Sequence, residues 1–90
     1  MRDDEFEWDD RKAEKNLRKH GVSFEHARAA FHDPGGIDED DLDPHEKRFS
    51  RLCRLNREVF VVVYTERGKR TRIISARVAT KHEQRNYFEQ

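Results

Sequence analysis

The sequence predicts an α+β fold: one compact domain, residues 1–90, in which an antiparallel β-sheet packs with helices in the order β-α-α-β-β-β-α. Three observations predict it. Ninety residues suffice for a single small domain that buries roughly 60 to 65% of its unfolded surface. The first third holds two capped, amphipathic stretches with Gly21 between them, and the second half holds three strand-like segments joined by short turns. At 33% hydrophobic and 42% charged the composition leans toward disorder, yet the charges cancel and the apolar residues fall into periodic clusters, which a folded chain requires.

Each element follows from local chemistry. "EFEW" alternates, so Phe6 and Trp8 face one way, as in a short edge strand. Asp9 or Asp10 caps a helix through "RKAEKNLRKH", with Ala13 and Leu17 four apart, a basic last turn and Gly21 as its stop. Ser23 caps "FEHARAAF", which places Phe24, Ala27 and Phe31 on one face and ends at "DPGG". The acidic, turn-rich "GGIDEDDLDP" is expected to be mobile, with room for a short strand around Ile37. In "RFSRLCRL" Phe49 and Arg51 share one side and Leu52 takes the other. "EVFVVVYT" is apolar enough for a central strand covered on both faces; "ERGK" turns it into "TRIISAR". Thr80 and Glu83 stand at capping-box spacing and open a last helix that carries Arg85, Tyr87 and Phe88.

The zero net charge conceals a division. Residues 1–45 carry 14 acidic and 7 basic side chains, and residues 46–90 carry 5 acidic and 12 basic, so the halves stand at −7 and +7. Either a basic surface attracts a polyanion such as nucleic acid, or the halves neutralise each other across the fold. The single cysteine, Cys53, permits no intramolecular disulfide, and no apolar run is long enough for a signal peptide core or a bilayer span. A reducing, cytoplasmic setting without membrane contact is expected.

Common catalytic signatures are absent: no glycine-rich phosphate loop, paired-cysteine site or locally supported Ser/His/Asp pattern. His20, His26 and His32 recur every six residues, which fits no zinc motif and suits surface or cap positions. No metal or cofactor is expected. The basic residues are more informative. Arg48, Arg51, Arg54 and Arg57 lie on or beside the first strand of the meander, Arg72 and Arg77 on the returning strand, Lys81 and Arg85 on the last helix. Arg51 and Arg77 are expected to share a concave face, near the partial positive charge of the helix that starts at Thr80. The plainer alternative is solvated strand edges that block aggregation.

The segments "FEWDDRKAEKNLRKHGVSFEHARAAFHDP", "HEKRFSRL" and "VVVYTERGKRTRIISARVATKHEQRNYFE" together resemble BrnT-type toxins of bacterial type II toxin–antitoxin systems, over nearly the whole chain. The resemblance carries to Trp8, Lys12, Asn16, Lys19, His20 and Gly21, and to Glu46, Arg48, Arg77, Ala79 and Glu83; Cys53-Arg54 departs from a glycine usual in the family. It implies a RelE-like fold, RNA cleavage that arrests growth, and a BrnA-like antitoxin of ribbon-helix-helix type. Toxin and antitoxin would form a hetero-oligomer that meets promoter DNA only through the antitoxin.

The chemistry expected is attack of a ribose 2′-hydroxyl on the adjacent phosphate, without a metal. Arg48, Arg51 and Arg77 would bind and polarise that phosphate, since guanidinium groups stabilise charge where it develops. His45, Glu46 or Lys81 would assist proton transfer. Arg54, Arg72 and Arg85 would hold RNA, and Phe49, Tyr87 and Phe88 would anchor an antitoxin lying over the basic surface. Two alternatives stand beside this: a catalytically weak module that captures antitoxin within a DNA-bound repressor, motivated by Cys53-Arg54, and a patch that binds RNA without cutting it. The second would show steep salt dependence, although the chain offers no aromatic stacking ladder.

Overall fold

The computed structural model describes residues 1–90 as β1 (Phe6–Glu7), α1 (Asp10–His20), α2 (Phe24–Phe31), β2 (Ile37–Asp41), β3 (Arg48–Leu55), β4 (Glu58–Arg67), β5 (Arg70–Val78) and α3 (Lys81–Phe88). The caps expected from sequence form. Asp9 accepts the N–H groups of Arg11 and Lys12, Ser23 that of His26, and Gly21 closes α1 at φ 70°, a left-handed conformation that glycine adopts without strain. Thr80 and Glu83 make a reciprocal capping box at the start of α3.

The strands form one sheet in the order β1-β5-β4-β3-β2. β2 to β5 run antiparallel, but β1 pairs with β5 in parallel, so the sheet is mixed and not wholly antiparallel. The chain from α1 to β4 serves as the long crossover that a parallel pair needs. The segment expected to be mobile contributes a full edge strand: all five residues of β2 pair with β3. Its carboxylates suit an edge, where charge deters pairing with other chains, and Asp38 binds both Arg51 and the Tyr64 hydroxyl.

The helices cover the sheet unequally. α1 and α2 lie over one face, with Phe6, Trp8, Phe24, Ala27, Phe60 and Ile73 among the residues of the main core. α3 covers only one end of the opposite face, where Val59, Val61, Ala79 and Tyr87 form a smaller cluster against Leu52. β4 is therefore buried on both faces, as its unbroken apolar run predicts. Burying an aliphatic or phenyl side chain stabilises a fold by about 1.5–3 kcal/mol, so the larger cluster dominates.

Two details fix what the open face presents. The β4–β5 hairpin starts from Arg67 opposite Arg70, and an uninterrupted ladder from there would set Arg77 opposite Phe60. Instead the register shifts between Val63 and Tyr64, where β5 carries Ile74 as an extra residue, and Arg77 pairs with Val61. Every residue beyond the bulge changes face, which is why Ile73 and Ala76, three apart, both enter the main core. The second detail is Asn16, buried at 7% exposure. Its amide nitrogen donates to the carbonyls of Val22 and Ala76 at 2.9 and 2.8 Å, and its oxygen accepts the Ala76 N–H at 3.1 Å. β1 reaches only Thr71 and Arg72, so this side-chain amide substitutes for a neighbouring strand further along the β5 edge.

Candidate functional site: an open arginine face

Beyond α3 the sheet presents a face without a helical cover. Alternation places Arg48 and Ser50 of β3, Val63 and Thr65 of β4, and Arg72, Ser75 and Arg77 of β5 on it. Glu7 of β1, beside Arg72 in the register, joins them at one edge.

Each arginine here is held by a carboxylate. Arg48 donates to Asp43 at 2.9 Å and to Glu46 at 3.1 Å, while Arg67 approaches the other oxygen of Glu46 at 3.7 Å. Arg72 meets Glu7 at 2.6 Å. Arg77 makes a bidentate pair with Glu83, at 2.8 and 3.0 Å, and Glu83 also accepts the Thr80 N–H of its capping box at 2.8 Å. Hydrogen bonding from Arg77 holds the Glu83 carboxyl at about 2 against burial, and the same contact raises Arg77. The Asp43 carboxyl is lowered first by the His45 backbone N–H, against partial burial. Such pairing fixes the guanidinium planes, and it means that an incoming phosphate must share or displace a carboxylate.

Arg48, Arg72 and Arg77 therefore share this face without meeting at one point: Arg72 stands opposite Thr65, Arg48 follows the Phe49–Tyr64 pair with Glu46 beside it, and Arg77 lies opposite Val61, four residues along β4, with Lys81 next in the first turn of α3. Arg51 does not join them. It pairs with Val62, so its side chain lies on the helix-covered face, donating to the carbonyls of Phe31 and Asp33 at 2.9 and 2.7 Å with its guanidinium over the Phe31 ring. The expected shared face of Arg51 and Arg77 is overturned by the Ile74 bulge, and a partner lying on one face cannot cover both. Gly36 makes room for this arginine: a Cβ there would fall 2.4 Å from the guanidinium carbon.

The remaining candidates scatter. His45 is exposed, with its backbone N–H on Asp43. Arg54 lies over the Phe88 ring beside the C-terminal end of α3, and Arg85 is exposed on α3. The three aromatic residues do not make one anchor. Phe49 stacks on Tyr64 on the helix-covered side, Tyr87 is buried with its hydroxyl donating to Asp33, and only Phe88, 57% exposed, is available on the α3 side. Cys53 lies fully buried within an unbroken ladder, opposite Phe60, so the departure from glycine bends nothing; burial pushes its thiol up to about 12.

Sequence reasoning passed over Glu7 and Asp43. Glu7 was findable, because a residue between inward Phe6 and Trp8 must point to the opposite face; Asp43 carries no periodic signal.

A family model described as "Ribonuclease toxin, BrnT, of type II toxin-antitoxin system" matches residues 8–83. The matched span runs from Trp8 in the core to Glu83 on Arg77. No match was found among curated proteins.

Proposed function

The chain belongs to the BrnT family of ribonuclease toxins of type II toxin–antitoxin systems, and from that premise we propose that it cleaves RNA on the open arginine face. The observation that carries this reading is the placement of Arg48, Arg72 and Arg77 along one face that no helix covers. In the reaction proposed, a 2′-hydroxyl attacks the neighbouring phosphorus, a 2′,3′-cyclic phosphate forms and the 5′-oxygen leaves with a proton. Charge grows on the non-bridging oxygens, where Arg77 meets it with a preformed fork, such a donor lowering the barrier by about 3 kcal/mol, and Arg48 and Arg72 bind the RNA further along the face.

Glu83, held near 2, is a poor proton acceptor and serves to orient Arg77. His45, Glu46 and Lys81 are the groups proposed to move the proton; Lys81, four residues after Arg77 in the first turn of α3, is the one on the Arg77 side, whereas Glu46 is held by Arg48 and Arg67 toward the β4–β5 turn. The reading extends to a RelE-like fold, to a ribbon-helix-helix antitoxin that neutralises the toxin by lying on the open face, and to a cytoplasmic site of action. It is supported by the exposed face itself and by the one free cysteine; no helix is long and apolar enough to cross a membrane.

The test is cleavage of mixed RNA by purified protein free of antitoxin. Arg77→Ala should lower the rate at least tenfold, to about a hundredfold, with the fold retained. A folded Arg77→Ala protein that cleaves like wild type removes Arg77 from the reaction.

One observation favours a second reading. Arg48, Arg72 and Arg77 each already carry a carboxylate, which suits a module that captures antitoxin and has little nuclease activity. Growth on induced expression separates the two: arrest relieved by the antitoxin supports the nuclease, and normal growth with an intact complex supports the module.

A further inference from the structure

The sheet arginines are neutralised, but a second group of cations is not. Lys12, Lys15 and Lys19 project from one side of α1, at the three- and four-residue spacings that align side chains on a helix. With His20 they border a shallow concavity of about 300 Å³ whose far wall is Ile74 and Ser75 of β5. No carboxylate lines it. The two acidic residues of α1 are engaged elsewhere, Asp10 with the N-terminal amine and Glu14 with Arg18. None of the three lysines is within ion-pair distance of an acid, unlike Arg48, Arg72 and Arg77.

Like charges three and four apart cost a helix a few tenths of a kcal/mol each. The helix dipole accounts for Lys19 and His20 in the last turn, and the Asp9 carboxylate at the N-cap draws on the charge of Lys12, but neither accounts for Lys15 or for the three lysines aligned on one side. Something anionic outside the chain accounts for all of them together. The position says which anion. Ser75 belongs to the open face, two residues from Arg77 on β5, so the concavity continues that face around the β5 edge. A strand of RNA whose scissile phosphate lies at Arg77 has its neighbouring backbone led over Ser75 and onto α1.

We propose that Lys12, Lys15 and Lys19 form a phosphate-binding track for the RNA backbone beside the cleavage site, contributing affinity independently of base sequence. The proposal rests on RNA being the ligand of the open face. Ammonium groups act there as point charges on flexible stems, suited to backbone phosphates and not to reading bases. The track acts on binding and leaves the chemical step to the sheet.

The experiment measures binding of the purified, antitoxin-free protein to a 2′-O-methyl RNA oligonucleotide, which lacks the attacking hydroxyl. It compares wild type with K12Q/K15Q/K19Q, three exposed helix positions where glutamine is an equally good helix former. Each phosphate contact on single-stranded RNA contributes about −0.7 to the slope of log affinity against log salt, so the triple variant should lose about 2 from that slope. It should bind at least tenfold more weakly at low salt. On cleavable RNA its KM should rise while kcat stays within twofold of wild type.

A wild-type slope in the triple variant overturns the proposal. So does an equal loss per charge in K47Q/R57Q, which removes exposed cations flanking β3, two strands from β5, and would show that only net charge matters. Loss of antitoxin binding with RNA binding intact would overturn it too, by assigning the lysines to a protein partner. If wild type binds the oligonucleotide with a lysine-dependent slope yet cleaves nothing, the nuclease reading fails and the track stands. If it cleaves with an unaltered slope in the variant, the track alone fails.

Discussion

Replacing Glu83 by glutamine removes one charge and keeps a side-chain oxygen that can still accept the Thr80 N–H. What it takes away is the bidentate contact with Arg77, which holds the carboxyl at about 2 against an ordinary 4.5. At ~1.4 kcal/mol per pH unit that depression corresponds to about 3–4 kcal/mol as a ceiling. Arg77 is 41% and Glu83 28% exposed, so solvent screening brings the expected contribution down to about 1–2 kcal/mol. Because the folded-state value lies below the unfolded one, the stabilisation is complete above about pH 4.5 and is lost as the pH falls toward 2. Glu83→Gln should therefore be less stable than wild type by about 1–2 kcal/mol at pH 7, with the gap closing by about pH 2, where the native carboxyl is itself taking up a proton. Urea unfolding midpoints at stepped pH values measure the gap directly. Equal stabilities at pH 7, or a gap of the same size at pH 7 and pH 2, would refute the argument that this charge secures α3 to β5.

Three further outcomes follow from the packing. Gly36→Ala should cost about 1–3 kcal/mol, visible as a Tm lowered by 4 °C or more, because its Cβ would meet an Arg51 guanidinium already fixed on two backbone carbonyls; an unchanged Tm would show that Arg51 swings away freely. Asn16→Ala leaves the Ala76 N–H and carbonyl without their partner, and should destabilise by about 2–3 kcal/mol while speeding Ala76 amide exchange more than that of Val61, readable by NMR. Cys53, with its thiol pushed up to about 12 by burial, should resist a thiol reagent at pH 8 until the protein is unfolded by urea; fast labelling without denaturant would place it outside the core.

The elements were legible where a side chain speaks to its own backbone. Asp9, Ser23 and Thr80 announce helix starts through hydrogen bonds two or three residues away, and the run from Val59 to Thr65 can only be an interior strand. The site was less legible because it depends on registers set between distant strands. Reading Arg51 and Arg77 onto one face is sound for a regular hairpin; the inserted Ile74 reverses it, and no local property of "TRIISAR" marks which isoleucine is the extra one. β2 was hard to see for a similar reason. Its acidic residues are poor strand formers alone, and they pair because β3 offers a free edge with Arg51 facing Asp38. The parallel placement of β1 was illegible too, since two residues carry no direction of their own.

The attachment of Asn16 to Ala76, with β1 on the same strand, bears on when a newly made copy acquires its arginine face. β1 and α1 dock onto a strand about 60 residues downstream, so they have no resting place until β5 has been synthesised, whereas α2 also packs on β3 and β4. At 5–20 residues per second that wait is roughly 3–12 s. A copy that stalls before β5 carries no Arg77, leaves Phe6 and Trp8 without the strand they dock on, and is open to proteolysis. The arginine face is thus absent until β5 is in place. Any partner that recognises the open arginine face meets it only after the last strand is in place, which sets the moment at which neutralisation has to begin.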